Sequence, residues 1–368
     1  RLAVGFYDED PATGKIVRTD RFELDVDGKS TVVAAAAGKK RPAFILVNDD
    51  DLTYTKLRFD ADSLSFALAN LQHFDDALAR AVVWLSLWDM TRDGDLAAEK
   101  FIDTTLALLA TETESTTFRY ALSCMSTTAW HYTAPDRRAD VVKHVAKELW
   151  KLVIAAPGGS DQQFQLVTAY LGYGEEGDAE FAEHAQGLFD GSLIVVGLEI
   201  DNNFTWTIIN ALSSVKLIDQ AGIDAQLAKR DTTENREFAL GAHAVRGDAA
   251  AKEWAWNEAL NNADLTNMQL EAVARGFGAT PRPDLAEPYA AKYYDVVDWV
   301  WKNKSFHMAE ALLEGLYPYY ADPATLVELG HRWLADHEDA DNALKRIVRG
   351  NVESSQRTLK VRDFNAAL

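Results

Sequence analysis

One short motif matches the beginning of a zinc-binding signature. His337 and Glu338 would open an H-E-x-x-H motif, in which two histidines on one helical face hold the metal and the glutamate acts as base. The position of the second histidine is Asp341, and no other two of the eight histidines lie four residues apart. His331 and His337 are separated by six positions and fall on different helical faces. The sequence therefore predicts no metal ligand and no catalytic residue in this chain.

A glycine pattern that could hold a dinucleotide runs from Gly172 to Gly177. Its letters fit G-x-G-x-x-G, but a dinucleotide site needs a strand before the glycines and a helix after them. Here a helical pattern at residues 164–171 precedes the glycines, and Glu175 and Glu176 would repel a pyrophosphate. We expect a loop between two helices.

The run Asn48-Asp49-Asp50-Asp51 has the ligand types that calcium prefers. It lacks the glycine and the distal glutamate of a helix-loop-helix calcium site. We therefore predict a solvated turn between two strands.

Aromatic residues could form the wall of a ligand cavity, but their spacing favours a buried core. Trp84 and Trp88 lie one helical turn apart, with Arg80 a turn earlier and Asp89 adjacent. This pattern predicts a buried helix held by an Arg80–Asp89 bond. Core positions are also predicted for two further clusters, Tyr317-Pro318-Tyr319-Tyr320 and Trp254 with Trp256.

The charge balance excludes several partners. Lys and Arg number 37 against 57 Asp and Glu, so the 368-residue chain carries a net charge of −20. A field of this sign repels nucleic acids and anionic membrane surfaces. No apolar run reaches the roughly 20 residues needed to span a bilayer. The single cysteine, Cys124, lies in an apolar helical stretch, where we expect a buried, inert thiol and a cytoplasmic setting.

Short alternating segments before residue 60 predict a small antiparallel sheet or part of a β-sandwich. The expected strands are separated by the turn sequences at residues 10–14 and 27–28, and they cover residues 2–7, 15–26, 30–33, 43–47 and 54–59. The chain begins directly with a strand pattern, which we interpret as a cut within a longer protein. Strands missing upstream would leave exposed edges, and these could associate from copy to copy.

After residue 60 the apolar period becomes helical. One stripe runs through residues 74, 78, 81, 82, 85 and 88, and similar stripes follow at residues 98–109, 142–153 and 344–352. Helix boundaries are marked by the Pro157-Gly158-Gly159 stop, a capping box from Ser160 to Gln163, and Asp322-Pro323. The predicted fold is mainly α. We expect an irregular HEAT- or armadillo-like superhelix of helix pairs with a concave face, at residues 61–368, after a truncated β-sandwich at residues 1–60.

Several stretches resemble the C-terminal region of bacterial aminopeptidase N. Residues 41–60, from Arg41-Pro42-Ala43-Phe44 to Arg58-Phe59-Asp60, resemble the end of that family's small β-sandwich. Residues 78–81 and 87–94, the latter reading Leu87-Trp88-Asp89-Met90-Thr91-Arg92-Asp93-Gly94, are similar to its first long helix and the following turn. Looser similarity is found at residues 1–8 and 314–318.

The resemblance implies the non-catalytic part of a zinc metallopeptidase that removes N-terminal amino acids from peptides. In that family zinc, its H-E-x-x-H ligands and the G-A-M-E-N segment belong to an upstream catalytic domain, and neither motif occurs here. The helical domain would close over the active site and wall a substrate chamber, with the catalytic domain and peptides as partners. We expect the chain alone to be inactive, with no cofactor, and its substrate-binding residues stay unassigned.

Two other classes of function fit the sequence. A stand-alone helical scaffold for a protein partner would require a complete β domain at residues 1–60. An α/α-barrel glycosidase, suggested by the many acids and ten tryptophans, would require two carboxylates about 5–10 Å apart across a pocket.

Overall fold

The N-terminal residues form a three-stranded antiparallel sheet in the computed structural model, which describes residues 1–368. Its strands are β1 (Leu2–Glu9), β2 (Ile16–Leu24) and β3 (Phe44–Asp49), in the order β2-β1-β3. The β1–β2 hairpin turns at Asp10, whose carbonyl accepts from the Gly14 amide at 2.8 Å. Gly14 has φ = 69°, a conformation that glycine adopts without steric cost.

Two predicted strands do not form. Residues 30–33 belong to a loop that leads into a 3₁₀ turn at Ala34–Ala36, and residues 54–59 pair with no strand. Charged side chains fix the second segment instead: Lys56 contacts Asp93 at 2.8 Å, and Arg58 Nε donates to Asp95 at 2.8 Å. The alternation of apolar and polar residues could not reveal that side-chain bonds, rather than backbone hydrogen bonds to a neighbouring strand, hold this segment.

Helices occupy the rest of the chain, and the predicted mainly helical fold behind a small antiparallel sheet is confirmed. In chain order they are α1 (Ala61–Asn70), α2 (Ala77–Arg92), α3 (Ala98–Leu109), α4 (Ser115–Thr127), α5 (Arg138–Ala155), α6 (Asp161–Leu171), α7 (Ala179–Asp190), α8 (Asn202–Ser214), α9 (Gln220–Lys229), α10 (Thr233–Ala244), α11 (Ala249–Asn261), α12 (Asn267–Gly278), α13 (Pro283–Ala286), α14 (Ala290–Asn303), α15 (Phe306–Gly315), α16 (Pro323–Asp336) and α17 (Asn342–Ala366).

Seven aspartates serve as helix N-caps. A capping side chain accepts an amide hydrogen of the first turn and satisfies a donor that has no partner within the helix. The Ser160 and Asp322 caps lie where the sequence predicts them, although Gln163 bonds the Gly159 amide rather than completing the box. The capping aspartates are Asp60, Asp76, Asp178, Asp201, Asp219, Asp248 and Asp322.

The chain divides into two compact units. The first unit holds residues 1–148 and 360–368, and the second holds residues 149–359. The sheet core of the first unit is aromatic: Tyr7, Phe44 and Phe74 pack with ring centroids 5.2–6.2 Å apart. The domain boundary predicted at residues 60/61 coincides with the Asp60 cap of α1 and stays a prediction.

In the second unit, helices that are not sequence neighbours pack on each other. Contacts join α6 to α8, α8 to α10 and α10 to α12, each two positions apart in the chain, and α12 to α15, three positions apart. The intervening α9 and α11 pack against their sequence neighbours, so the predicted pairs of helices are present. Helices α10 and α12 can approach closely because Gly276 has no side chain. A Cβ at this position would lie only 2.6 Å from the Gly241 carbonyl oxygen.

None of the helices is both long enough and apolar enough to cross a membrane.

Candidate functional site

The glycine pattern at residues 172–177 is a loop between α6 and α7, as predicted. No strand precedes it, so the geometry of a dinucleotide site is missing. Glu176 in this loop pairs with Lys216 at 3.0 Å and with Arg282 at 2.7 Å. Two ion pairs therefore connect this loop to residues that follow it in the second unit.

His337 lies at the C-terminal end of α16, and both of its ring nitrogens are engaged. Nε2 lies 2.9 Å from an Asp298 carboxylate oxygen, and Nδ1 lies 2.8 Å from the Trp333 carbonyl oxygen. The ring also stacks on Trp333 with centroids 4.4 Å apart. His331 instead bonds Gln356 at 2.7 Å. The two histidines singled out in the sequence thus serve different neighbours.

The residues present do not fit a zinc ion. Nowhere do three or more His, Cys, Asp or Glu side chains lie close enough together to hold a metal. A protein zinc site takes three or four such ligands at about 2.0–2.3 Å. No chemical step through zinc can therefore be assigned to this chain.

The acidic run at residues 48–51 is a turn after β3, but the prediction of a solvated turn between two strands is wrong. No strand follows it, and Asp49 is buried, accepting from the Tyr7 hydroxyl at 2.6 Å and from Arg18 at 2.8 Å. Asp50 binds Arg18 and Arg21. These contacts lower the pKa of Asp50, with the Arg18 hydrogen bond as the largest cause. The turn fastens β3 to β2.

The tryptophans of α2 are core residues, as predicted. Trp84 is 1% exposed and donates to Thr105 Oγ1 at 3.1 Å, and both Trp84 and Trp88 pack on Phe101. The buried stripe is rotated from the predicted one, since Leu78 and Leu85 are exposed. These rings fill the core of the first unit.

The prediction of an Arg80–Asp89 bond is wrong. Arg80 makes a two-pronged bond to Glu112, with Nε···Oε2 at 2.8 Å and Nη2···Oε1 at 3.1 Å. Glu112 follows the end of α3, where its carboxylate also accepts the Thr113 amide at 2.8 Å. The partner lies 32 residues away, which is why helical spacing could not identify it.

The remaining aromatic clusters also belong to the core of the second unit. Tyr317 is fully buried and shares a 2.8 Å hydrogen bond with Ser355. Tyr319 donates to Asn351 at 2.9 Å. Trp256 is 8% exposed, and the half-buried Trp254 stacks on His243 with ring centroids 3.7 Å apart.

The single cysteine, Cys124, is buried in the first unit. Burial raises the pKa of its thiol to about 12, so the thiol is inert at neutral pH, as predicted.

Two open clefts carry charged groups, one in each unit. The cleft in the first unit, about 380 Å³, contains a His144–Asp103 pair at 3.0 Å and an Arg137–Glu99 pair at 2.8 Å. The cleft in the second unit, about 570 Å³, contains the His337–Asp298 pair, and Trp301 lines its wall. Neither lining includes a serine, threonine or cysteine that a histidine could activate as a nucleophile.

Comparison with known proteins identifies the family. Residues 44–357 match the family model of the ERAP1-like C-terminal domain. The chain belongs to the ERAP1-like C-terminal domain family. Aminopeptidase N of Streptomyces lividans is 33% identical over 367 residues, an alignment that covers 100% of this chain and 42% of the relative. The chain thus spans less than half the length of that relative, and its resemblance to the C-terminal region of aminopeptidase N is confirmed.

The ERAP1-like C-terminal domain, as matched here, begins at β3 and ends in α17. Both clefts lie within the matched range, whereas β1 and β2 lie before it. One buried cation in the matched range was missed by the sequence analysis. Lys252 occupies the same face of α11 as Ala255, Trp256 and Ala259, and this placement on an apolar stripe was the available signal.

Proposed function

We propose that this chain is the non-catalytic C-terminal portion of a cytoplasmic zinc aminopeptidase that removes N-terminal amino acids from peptides. The observation that carries the proposal is the 33% identity of the entire chain to an Aminopeptidase N of which it represents 42%. Zinc and its ligands then belong to the part of the protein outside this sequence. Nucleic acids and membranes are not partners in this proposal.

The role proposed for the helical residues is to cap the active site and wall a chamber for peptide substrates. Support comes from the helix pairs that pack together in the second unit, and from the absence of a serine, threonine or cysteine nucleophile in the lining of either cleft. The charge of −20 favours approach of a peptide's free amino end. Such a wall excludes water and limits access by shape, without supplying a reacting group.

The test compares the complete gene product with a version that ends at residue 60, just before α1. Peptides of 2 to about 12 residues and an aminoacyl arylamide would be assayed for kcat/KM. We expect the complete protein to discriminate by peptide length and the shortened one to lose this discrimination while still cleaving the arylamide. Identical length profiles would contradict the chamber role, and lack of any peptidase activity in the complete protein would contradict the proposed family activity.

A further inference from the structure

Lys252 is a buried cationic residue with no counter-charge in contact. It lies in the first turn of α11, its side chain points into the interior of the second unit, and it is only 2% exposed. Lysine side chains ordinarily extend their ammonium group to water. Full burial therefore requires either compensation by neighbouring groups or loss of the proton.

The amine lies between the C-terminal ends of two helices. Nζ lies 2.6 Å from the Ala244 carbonyl oxygen at the end of α10, and 3.2 and 3.1 Å from the Gly276 and Phe277 carbonyl oxygens at the end of α12. It also contacts Thr280 Oγ1, which in turn donates to the Val245 carbonyl. Carbonyls in the last turn of a helix have no partner within the helix, so one side chain here caps two helices.

All four acceptors are neutral. The carboxylate that acts on Lys252 from a distance is Asp248, which already accepts from the Ala251 amide as the N-cap of α11 and pairs with Arg246 at 3.0 Å. The Phe277 ring, 5.8 Å from Nζ, adds only a weak cation–π attraction. The carbonyl dipoles at the two helix ends offset part of the desolvation cost of an ammonium group, but no carboxylate in contact offsets the rest. Tyr319 and Tyr320, after α15, are the other titratable residues beside Lys252 in the lining of the adjoining cavity. The other titratable residues of the three helices that meet here are Glu234, Arg236, Glu237 and His243 in α10, Glu253 and Glu258 in α11, and Glu271 and Arg275 in α12.

A small cavity adjoins the amine. Its volume of about 10 Å³ is close to the space of a single water, and Thr280, Pro318 and Tyr319 are among its lining residues. An ammonium group has three N–H donors and a neutral amine has two, so either form leaves at least one of the four acceptors for a water here. Burial lowers the pKa of Lys252 to about 7, which makes the neutral form accessible near physiological pH.

We propose that Lys252 makes the joint between the C-terminal ends of α10 and α12 proton-sensitive. The neutral amine closes the joint, and protonation favours an opened form in which the ammonium group reaches water. Linkage between protonation and folding gives the direction in which stability changes with pH. The pKa is lower in the closed form than in the open or unfolded chain, so stability declines as pH falls from about 10 to about 7 and levels off below that.

Urea unfolding of the chain from pH 6 to 10 tests the proposal. Relative to Lys252→Met, the folding equilibrium constant of the wild type should rise about tenfold per pH unit between pH 7 and 10. Lys302→Met, which removes an exposed lysine of the same unit, should run parallel to the wild type. Parallel curves for wild type and Lys252→Met would overturn the proposal, because they would show Lys252 charged throughout.

Hydrogen exchange on the unmodified chain gives an answer even where Lys252→Met does not fold. After correction for the intrinsic pH dependence of exchange, the amides of residues 244–247 and 276–282 should gain protection as pH rises from 7 to 9. Residues 204–212 of α8 in the same unit are the internal reference. Equal behaviour of the two sets would contradict a proton-sensitive joint.

Discussion

Arg80 in the first unit and Lys252 in the second are both buried cations, and the fold accommodates them in different ways. Arg80 meets a carboxylate, Glu112, in a two-pronged geometry, whereas Lys252 meets only carbonyls and a hydroxyl. A guanidinium keeps its proton at all accessible pH values, while an amine can lose it on burial. Arg80 therefore combines a permanent charge with a carboxylate partner, whereas Lys252 combines a titratable amine with neutral partners.

The two sites respond to pH in opposite ranges. Burial tends to raise the pKa of Glu112, but the hydrogen bonds from Arg80 and the backbone amides outweigh it, and the pKa is lowered below the ordinary 4.5. A lowered carboxyl pKa means stability that is present above about pH 4.5 and lost as the pH falls further. Acid therefore weakens the first site, while the proposed deprotonation of Lys252 affects the second between about pH 7 and 10.

The largest effect is expected for Glu112→Ala. The substitution leaves Arg80, whose side chain is only 11% exposed, without its counter-charge, and breaking such a pair costs about 3–5 kcal/mol. The free energy of unfolding, measured by urea denaturation at pH 7, should drop by that amount. Glu114→Ala, at the exposed neighbouring acid, should change it by less than about 0.5 kcal/mol. Equal small effects for the two variants would remove the distinction between the two buried cations.

A smaller effect is expected for Gly276→Ala in the joint that Lys252 caps. A new Cβ would lie 2.6 Å from the Gly241 carbonyl oxygen and 2.7 Å from the Ala244 Cβ, so α10 and α12 must separate. Overpacking of this kind costs about 1–3 kcal/mol. The matched control is Gly350→Ala in α17, where nothing lies within 4 Å and the better helix propensity should stabilise by roughly 0.5–1 kcal/mol. Thermal unfolding of both variants should give shifts of opposite sign, and shifts of the same sign would contradict the close helix contact.

The smallest effect is expected at Asp248, whose charge raises the pKa of Lys252. Asp248→Asn keeps the N-cap acceptor but removes the charge, so the pH-dependent rise in stability should begin at lower pH with little change at pH 9. Asp248→Ala also removes the cap and should cost about 1 kcal/mol at every pH. Urea midpoints across pH 6–10 separate the two effects. An unshifted curve for Asp248→Asn would mean that Lys252 is insensitive to this carboxylate.

Local signals in the sequence predicted several of the helices and some of their ends. The Asp322-Pro323 start of α16 and the Pro157-Gly158-Gly159 stop of α5 depend on a few adjacent residues, and both were found as predicted. The failures depend on distant partners. Residues 54–59 look like a strand until Asp93 and Asp95 bind their side chains, and Arg80 selects Glu112 only after α3 has packed.

The candidate site was less predictable than the fold. The sequence correctly gave no reason to place a dinucleotide at residues 172–177, and resemblance rather than spacing indicated the aminopeptidase family. Lys252 was overlooked because a lysine on an apolar stripe has the same one-letter pattern as a surface lysine with a buried stem. Its acceptors come from three separate segments, at residues 244, 276–277 and 280, which only the folded helices bring together.

The most direct measurement for the proposed function is an aminopeptidase assay on residues 1–368 alone. The purified chain would be incubated with zinc and an aminoacyl arylamide, and its metal content would be measured after gel filtration. We expect no turnover above the buffer control and no retained zinc. Stoichiometric zinc together with turnover that a chelator abolishes would contradict this expectation, because the reacting groups would then lie within this chain.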